Sequence, residues 1–272
     1  MPSALAAILL AFAANAAAEP IVDVFPRSEQ VFQQLKADPR AVGLGASYYR
    51  LGGRDRSDIA LGHSWGMTRW RSSSQAWTWQ WNIEAMAYSR FTLSGALNSF
   101  ETVDFFGNLP VAVRRGKFSA RAMLFHESSH LGDDYIRRTG DQGFRYSIDG
   151  LRLTLARDLT GWARAYAGGT YLLHTVPDPA RKSAQAGVEL TSGKLGWSKM
   201  YPLRLFAAQD LQFKEATRYR TNSRTVAGVI IGFDSVPRSM RIYGGRYEGY
   251  SAFGQLYRRK ESYTDVGISL HF

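Results

Sequence analysis

The sequence predicts an all-β fold: a closed antiparallel transmembrane β-barrel of about twelve strands with a short N-terminal periplasmic helix. The C-terminal run SYTDVGISLHF alternates apolar with polar or small residues, so it forms a strand with one apolar stripe. A second run, AWTWQWNIEA, puts Trp77, Trp79 and Trp81 on one face. Three tryptophans on one stripe suit a membrane interface better than a soluble core.

The N-terminal region predicts export followed by a helix. An apolar run over residues 4–12 precedes an A-x-A cleavage site at 16–18. This run is shorter than the roughly 20 apolar residues that a membrane-spanning helix needs. We therefore expect a signal peptide at 1–18, a periplasmic segment at 19–41 and a barrel at 42–272. The stretch RSEQVFQQLKADPR predicts a short helix that ends near Pro39 and lies in the periplasm or plugs the barrel base.

Alternation and turn residues divide the remaining chain into twelve strands. They are predicted at 42–51, 58–70, 75–90, 101–114, 117–130, 143–158, 161–175, 183–195, 200–214, 223–235, 238–250 and 262–272. An even number places both barrel termini in the periplasm. Short connections such as RRGK and LTG mostly alternate with longer, external ones such as LGDDYIRRTGDQGF. The terminal Phe272 resembles the C-terminal signal of Gram-negative outer-membrane barrels, which implies recognition by the barrel-assembly machinery.

Composition restricts the chemistry and the partners. The chain contains no cysteine, which excludes disulfides, thiolate nucleophiles and thiolate metal sites. Its net charge of +11 favours an anionic partner. For an exported protein, lipopolysaccharide phosphates and anionic lipid headgroups fit better than nucleic acid. The alternative is that the charge only aids solubility.

The stretch AMLFHESSHLGDDY carries the candidate chemistry. Its strand places Arg121 and Glu127 towards the lumen, so His126 and Ser128 face lipid. The next predicted strand brings Asp149 or Ser147 beside them. A hydroxyl, an imidazole and a carboxylate on one face are the parts of an activated nucleophile: the imidazole takes the hydroxyl proton and the carboxylate fixes its tautomer.

Two resemblances extend this interpretation. The His-x-Ser pair at the outer end of a strand resembles outer-membrane phospholipase A and the lipid A deacylases, which implies acyl-ester cleavage by Ser128 and His126. Both families have Asn after that serine, where this chain has Ser129. The segments FHESSHLGDDYI, RYSIDGLRL, RAYAGGTYLLHTVPDP and YEGYSAFGQLYRR resemble an uncharacterised outer-membrane family known as a domain of unknown function, which implies a barrel and its location but no activity.

The sequence is therefore compatible with two classes of function. The main expectation is a non-catalytic barrel that serves the envelope, interacts with lipopolysaccharide or passes small solutes. Its support is a basic external set that would pair with phosphates: Arg218, Arg220, Arg224, Arg258, Arg259 and Lys260. The alternative is a lipid acyl-ester hydrolase that uses Ser128, His126 and Asp149.

No cofactor is predicted for either class. His126 and His130 lie about 13 Å apart in an extended strand, which is too far for them to share one metal ion. Asp133 and Asp134 could ligate calcium in the loop that follows.

Overall fold

The computed structural model describes residues 21–26, 30–74, 76–94, 97–196, 201–233 and 236–271. The predicted export signal at 1–18 and the terminal Phe272 lie outside the described residues. The barrel strands are the main feature of the described chain, and their bounds lie close to the predicted ones.

Thirteen strands and one α-helix are assigned within the described ranges. The strands, β1 to β13 in chain order, are Ile21–Val24, Leu44–Leu51, Arg54–Arg71, Thr78–Ser94, Leu97–Arg115, Phe118–Leu131, Tyr146–Asp158, Ala163–Val176, Lys182–Thr191, Leu203–Lys214, Thr221–Phe233, Val236–Tyr250 and Lys260–His271. The helix, α1, is Asp133–Thr139. Single 3-10 turns occur at Glu215–Thr217 and Gly254–Leu256.

Strands β2 to β13 close into a twelve-stranded antiparallel barrel, which confirms the predicted fold class. Each strand pairs with the next, and β13 pairs back with β2 from Asp265↔Tyr49 to Leu270↔Leu44. Closure satisfies the backbone groups that an open sheet edge would expose to lipid. The extra strand β1 pairs with the last residues of β3, from Arg71 to Thr68, below the end of the shorter β2. In the described residues no helix is long and apolar enough to cross a membrane.

The outer wall is apolar and the inner wall is polar, as the alternation predicts. On β7, Leu151, Leu153 and Leu155 each keep about half of their surface exposed. Trp79 and Trp81 on β4, like Trp77 just before it, point outward, while Gln80 and Glu84 are buried in the lumen. Successive side chains of a pleated strand point to opposite sides of the sheet. Each strand therefore has an outward apolar face and an inward polar face.

Buried ion pairs hold the inner wall together. The guanidinium of Arg90 contacts Asp58 at 2.9 and 3.1 Å and Glu261 at 2.6 and 3.2 Å. All three side chains are almost fully buried. They come from β3, β4 and β13, so this cluster ties the seam strand β13 to the strands beyond β2.

The N-terminal segment lies inside this barrel and contains no helix between residues 30 and 43, so the predicted helix is wrong for that range. Lys36 contacts Glu189 on β9, Asp38 contacts Gln185 on the same strand, and Arg40 contacts Asp104 on β5. In a helix, Lys36 and Arg40 would share a face and Asp38 would point elsewhere. The irregular backbone instead lets these side chains reach different parts of the wall.

The external loop between β12 and β13 folds over the mouth of the lumen. Phe253 is completely buried and stacks on Tyr88 with a ring separation of 4.8 Å. The next residue, Gly254, donates its backbone N–H to Asp104 at 3.0 Å. The N-terminal segment and this loop therefore meet at Asp104, which also binds Arg40.

We predict that Arg90→Gln destabilises the barrel by about 3–5 kcal/mol, because it leaves two buried carboxylates without a counter-charge. Urea unfolding in lipid vesicles, followed by tryptophan fluorescence, measures the loss. Arg54→Gln is the matched control: Arg54 is exposed at the start of β3, and its loss should change stability by about 0.5 kcal/mol at most. Equal stability of the two variants would contradict the structural role of the cluster.

Candidate functional site

The hairpin of β6 and β7 brings the predicted site residues into register. His126 lies directly opposite Asp149, and Ser128 lies directly opposite Ser147. Directly paired residues of antiparallel strands point to the same side of the sheet, so all four share one face. That face is the outer wall, because the alternate residues Phe125 and Ser129 are buried inside.

The imidazole of His126 is hydrogen-bonded to the carboxylate of Asp149. The distance between Nδ1 and Oδ1 is 2.8 Å. The side chains are 51% and 42% exposed, so the pair lies on the outer surface rather than in the lumen. A bond at Nδ1 orients the ring and leaves Nε2 open to a second group.

Ser128 lies on the same outer face, one pleat beyond His126. Its hydroxyl makes no side-chain hydrogen bond to any described residue, so the structure brings His126 and Asp149 together and leaves Ser128 beside them. An unliganded catalytic site often has a long serine–histidine contact that tightens only with substrate. The arrangement therefore supplies an oriented imidazole and a nearby free hydroxyl.

Ser129, the next residue, has the opposite environment. It is 1% exposed, donates its hydroxyl to Asp104 and accepts the backbone N–H of Gln255 at 2.9 Å. The Gln255 side chain also donates to the Ser129 carbonyl at 2.9 Å. Ser129 thus connects the inner wall to the loop that covers the mouth, and it is separated from Ser128 by the sheet itself.

His126, Ser128, Ser147 and Asp149 form a polar row on the outer wall. Two residues that the sequence analysis did not assign lie beside this row. Gly107 on β5 pairs with His126, and His174 on β8 pairs with Asp149. A Cβ added to Gly107 would meet no heavy atom within 4 Å, so the wall beside the imidazole is open. His174 is exposed on the outer wall. Only the cross-strand register reveals these neighbours, because they lie 19 and 25 positions away from their partners in the chain.

The row lies directly above an apolar surface. The next outward residues towards the short-turn end are Leu109 on β5, Leu124 on β6 and Leu151 on β7, each about half exposed. Longer loops belong to the other end, and in outer-membrane barrels such loops are extracellular. The polar row therefore lies where the apolar belt meets the loop end of the barrel.

The predicted calcium ligands belong to α1. Asp134 accepts the backbone N–H of Phe100 at 3.1 Å and also binds Arg137, and these contacts hold the pKa of its carboxyl below the ordinary value. Across the described ranges, no group of three or more histidine or acidic side chains is arranged to hold a metal ion. Calcium at Asp133 and Asp134 stays a prediction.

The sequence analysis did not predict α1, although Gly132 and Gly140 bracket it and its charges suit the helix dipole.

The predicted basic set divides between the outside and the lumen. Arg218, Arg220, Arg258 and Arg259 are exposed in the external loops, and Lys260 is exposed at the start of β13. Of these, Arg258 pairs with Asp178 at 3.3 Å and Arg259 pairs with Asp141 at 3.1 Å, so both link neighbouring loops. Arg224 is instead inside the barrel, where it contacts both carboxylate oxygens of Asp265 at 2.5 and 2.6 Å. It is thereby removed from the external surface on which it was predicted.

Comparisons with known proteins agree with the barrel fold. A family model described as "Protein of unknown function (DUF1207)" matches residues 11–272. Outer membrane phospholipase A from Escherichia coli is similar in structure, with a TM-score of 0.60 and 13% identity over 85% of this chain and 90% of that chain. The calcium-bound outer membrane phospholipase dimer from Salmonella typhi has a TM-score of 0.58 and 14% identity over 86% and 94%. No curated protein sequence matches this chain.

We predict that the two adjacent serines differ in their contribution to stability. Ser129→Ala removes a buried hydroxyl that satisfies Asp104 and Gln255, which should cost about 1–3 kcal/mol. Ser128→Ala, the matched control, should change stability by about 0.5 kcal/mol or less because its hydroxyl is unpaired. Urea unfolding of both variants in lipid vesicles measures the difference. A large loss in Ser128→Ala would show that this hydroxyl has a structural partner.

Proposed function

Because this chain belongs to the DUF1207 family, whose barrel carries no assigned activity, we propose from its own residues that it is an acyl-ester hydrolase acting on lipid in the outer leaflet of a Gram-negative outer membrane. The observation that carries the proposal is the outward His126–Asp149 hydrogen bond with Ser128 on the same face. In this assignment Ser128 is the nucleophile, His126 the general base and Asp149 the group that orients the base.

The location of the pair supports a function in lipid chemistry. A charged group on the lipid face of a barrel costs about 2–4 kcal/mol near mid-membrane and less towards the interface. Asp149 and His126 stand at the upper edge of the apolar belt, where this cost is small and lipid esters are within reach. The Arg90–Asp58 ion pair, in contrast, is buried in the lumen.

The proposed reaction is ordinary acyl transfer. The hydroxyl oxygen of Ser128 attacks the ester carbonyl carbon while Nε2 of His126 accepts the hydroxyl proton. The carbon–oxygen bond of the ester breaks, and the leaving alkoxide takes that proton from Nε2. Water, deprotonated by the same nitrogen, then releases the fatty acid from Ser128. The carboxylate of Asp149 holds Nδ1 and stabilises the charged imidazole that forms during the reaction.

The surface around the pair fits a lipid. Acyl chains would lie against Leu124 and Leu151, which are directly below, and this places the ester level with His126. The open wall at Gly107 gives the carbonyl access to the imidazole side of the row. The phospholipases of similar structure support the fold at 13–14% identity, and the roles assigned here rest on the residues of this chain.

A second candidate function is the binding of anionic lipid or lipopolysaccharide by the external loops. Arg218 and Arg220 lie in the β10–β11 loop, are exposed and make no ion pair with any described residue. Free guanidinium groups can bind phosphate with two parallel hydrogen bonds. This binding can coexist with hydrolysis, because the two sites occupy different parts of the barrel.

We predict that purified barrel releases fatty acid from phospholipid or lipopolysaccharide vesicles and that Ser128→Ala and His126→Ala each lower the rate by about 10³-fold or more. Asp149→Asn should lose up to about 10⁴-fold, since an amide stabilises the wrong imidazole tautomer. Fatty-acid release is measured directly, with heat-modifiable migration as the check on folding.

Ser147→Ala and His174→Ala are the matched controls, because they remove the same side-chain types from the same outer face. Both should keep most of the wild-type rate. Release that survives Ser128→Ala, or that disappears equally in the control variants, would end the hydrolase proposal.

For the second function, we predict that Arg218→Gln combined with Arg220→Gln weakens binding to lipopolysaccharide vesicles and reduces its dependence on salt, because two phosphate contacts are lost. Flotation with vesicles at two salt concentrations measures both effects. Asp149→Asn should bind as wild type does. Unchanged binding in the double variant would remove these arginines from lipid recognition.

A further inference from the structure

A cluster of cations lies inside the lumen near its short-turn end. Lys36 comes from the N-terminal segment, Arg164 from the start of β8 and Arg241 from the first half of β12. All three line a cavity of about 1130 Å³ that runs beside the N-terminal segment. Arg164 and Arg241 are both close enough to Lys36 to repel its charge.

One carboxylate serves this cluster, and it is already engaged. Glu189 is 1% exposed and accepts the backbone N–H of Lys36 at 2.6 Å and the Lys36 ammonium at 3.1 Å. Arg164 donates Nη1 to the same carboxylate at 3.2 Å. Among the described residues of this cluster, three cations therefore share one carboxylate, and positive charge exceeds negative charge by two.

Several guanidinium donors of the cluster have no hydrogen-bond acceptor in the described part of the chain. Nε and Nη2 of Arg164 and Nε of Arg241 are buried and make no hydrogen bond with any described residue. Arg241 also forms no ion pair within the described ranges, whereas Arg90, Arg224 and Arg164 each have an acidic partner. An unsatisfied buried donor costs about 1–3 kcal/mol, more when it is charged, so these donors require another acceptor.

We infer that Lys36, Arg164 and Arg241 form an anion site, here called the lumenal anion site, that binds a small solute through a phosphate or carboxylate group. Such a group carries two or more oxygens in the geometry that guanidinium donors match. It would satisfy the unpaired donors and bring the local charge closer to neutral. The site is independent of the outward Ser128, His126 and Asp149, because it opens into the lumen.

The inference is tested by titrating the full barrel with inorganic phosphate and, separately, with acetate in an isothermal calorimeter. A maltoside detergent is used, because phosphocholine headgroups would compete. The variant is Arg241→Gln, and the matched control is Arg246→Gln, which removes an exposed, outward arginine from the same strand. Heat-modifiable migration establishes folding of each variant.

We expect saturable binding to wild type and to Arg246→Gln with equal affinity, and binding at least about tenfold weaker to Arg241→Gln. Stronger binding of phosphate than of acetate assigns phosphorylated solutes, and the reverse assigns carboxylates. Should Arg241→Gln fail to fold, Arg241→Lys keeps the charge but loses the planar donors and should also bind more weakly. Absence of binding to wild type, or equal binding to the folded Arg241 variant and wild type, overturns the inference.

Discussion

The pairing of charges inside a narrow lumen is the constraint on which the rest of this structure depends. Alternation gives every strand one apolar face for lipid and one polar face for the interior, so twelve strands direct many charged side chains into a small space. A buried charge is tolerated only with a counter-charge and hydrogen bonds. The cluster of Arg90, Asp58 and Glu261 meets that condition and joins strands on both sides of the seam.

The N-terminal segment supplies some of the counter-charges inside the lumen. Its residues 30–42 fill the lumen, and Lys36 and Arg40 supply cations to the wall carboxylates Glu189 and Asp104. The loop between β12 and β13 then covers the mouth through Asp104 and Ser129. Among the described residues, Arg40 is paired with Asp104 at the covered mouth, whereas Arg241 at the short-turn end has no acidic partner. The paired charges at the mouth therefore belong to the structural network, whereas the short-turn end keeps donors that can bind a ligand.

On the outer wall, side chains that face lipid are expected to be apolar, and the His126–Asp149 pair is an exception. On the short-turn side of the pair, the next outward residues of β5 to β7 are Leu109, Leu124 and Leu151, as hydrocarbon requires. Two adjacent serines point to opposite sides of the pleated sheet. Ser129 is hydrogen-bonded to Asp104 and Gln255 in the lumen, whereas Ser128 lies outside, near the oriented imidazole. A change of one position in register would exchange these roles.

The sequence by itself determined the twelve strands, their faces and the outward location of His126, Ser128 and Asp149. It could do so because alternation is a local property, in which each side chain has the opposite direction to its neighbour. It did not determine the lumenal path of residues 30–42, whose apolar and polar pattern also suits a helix. Nor did it show that Arg224 pairs with Asp265 rather than facing outward.

Only the tertiary structure decided which residues meet across strands. The register of three strands adds Gly107 beside His126 and selects Asp149, rather than Ser147, as the residue opposite it. The unpaired donors of Arg164 and Arg241 follow from what fills the lumen. Both depend on closure of the whole barrel. A local pattern fixes the direction of a side chain, but the partner that it meets is set by chain segments far away in sequence.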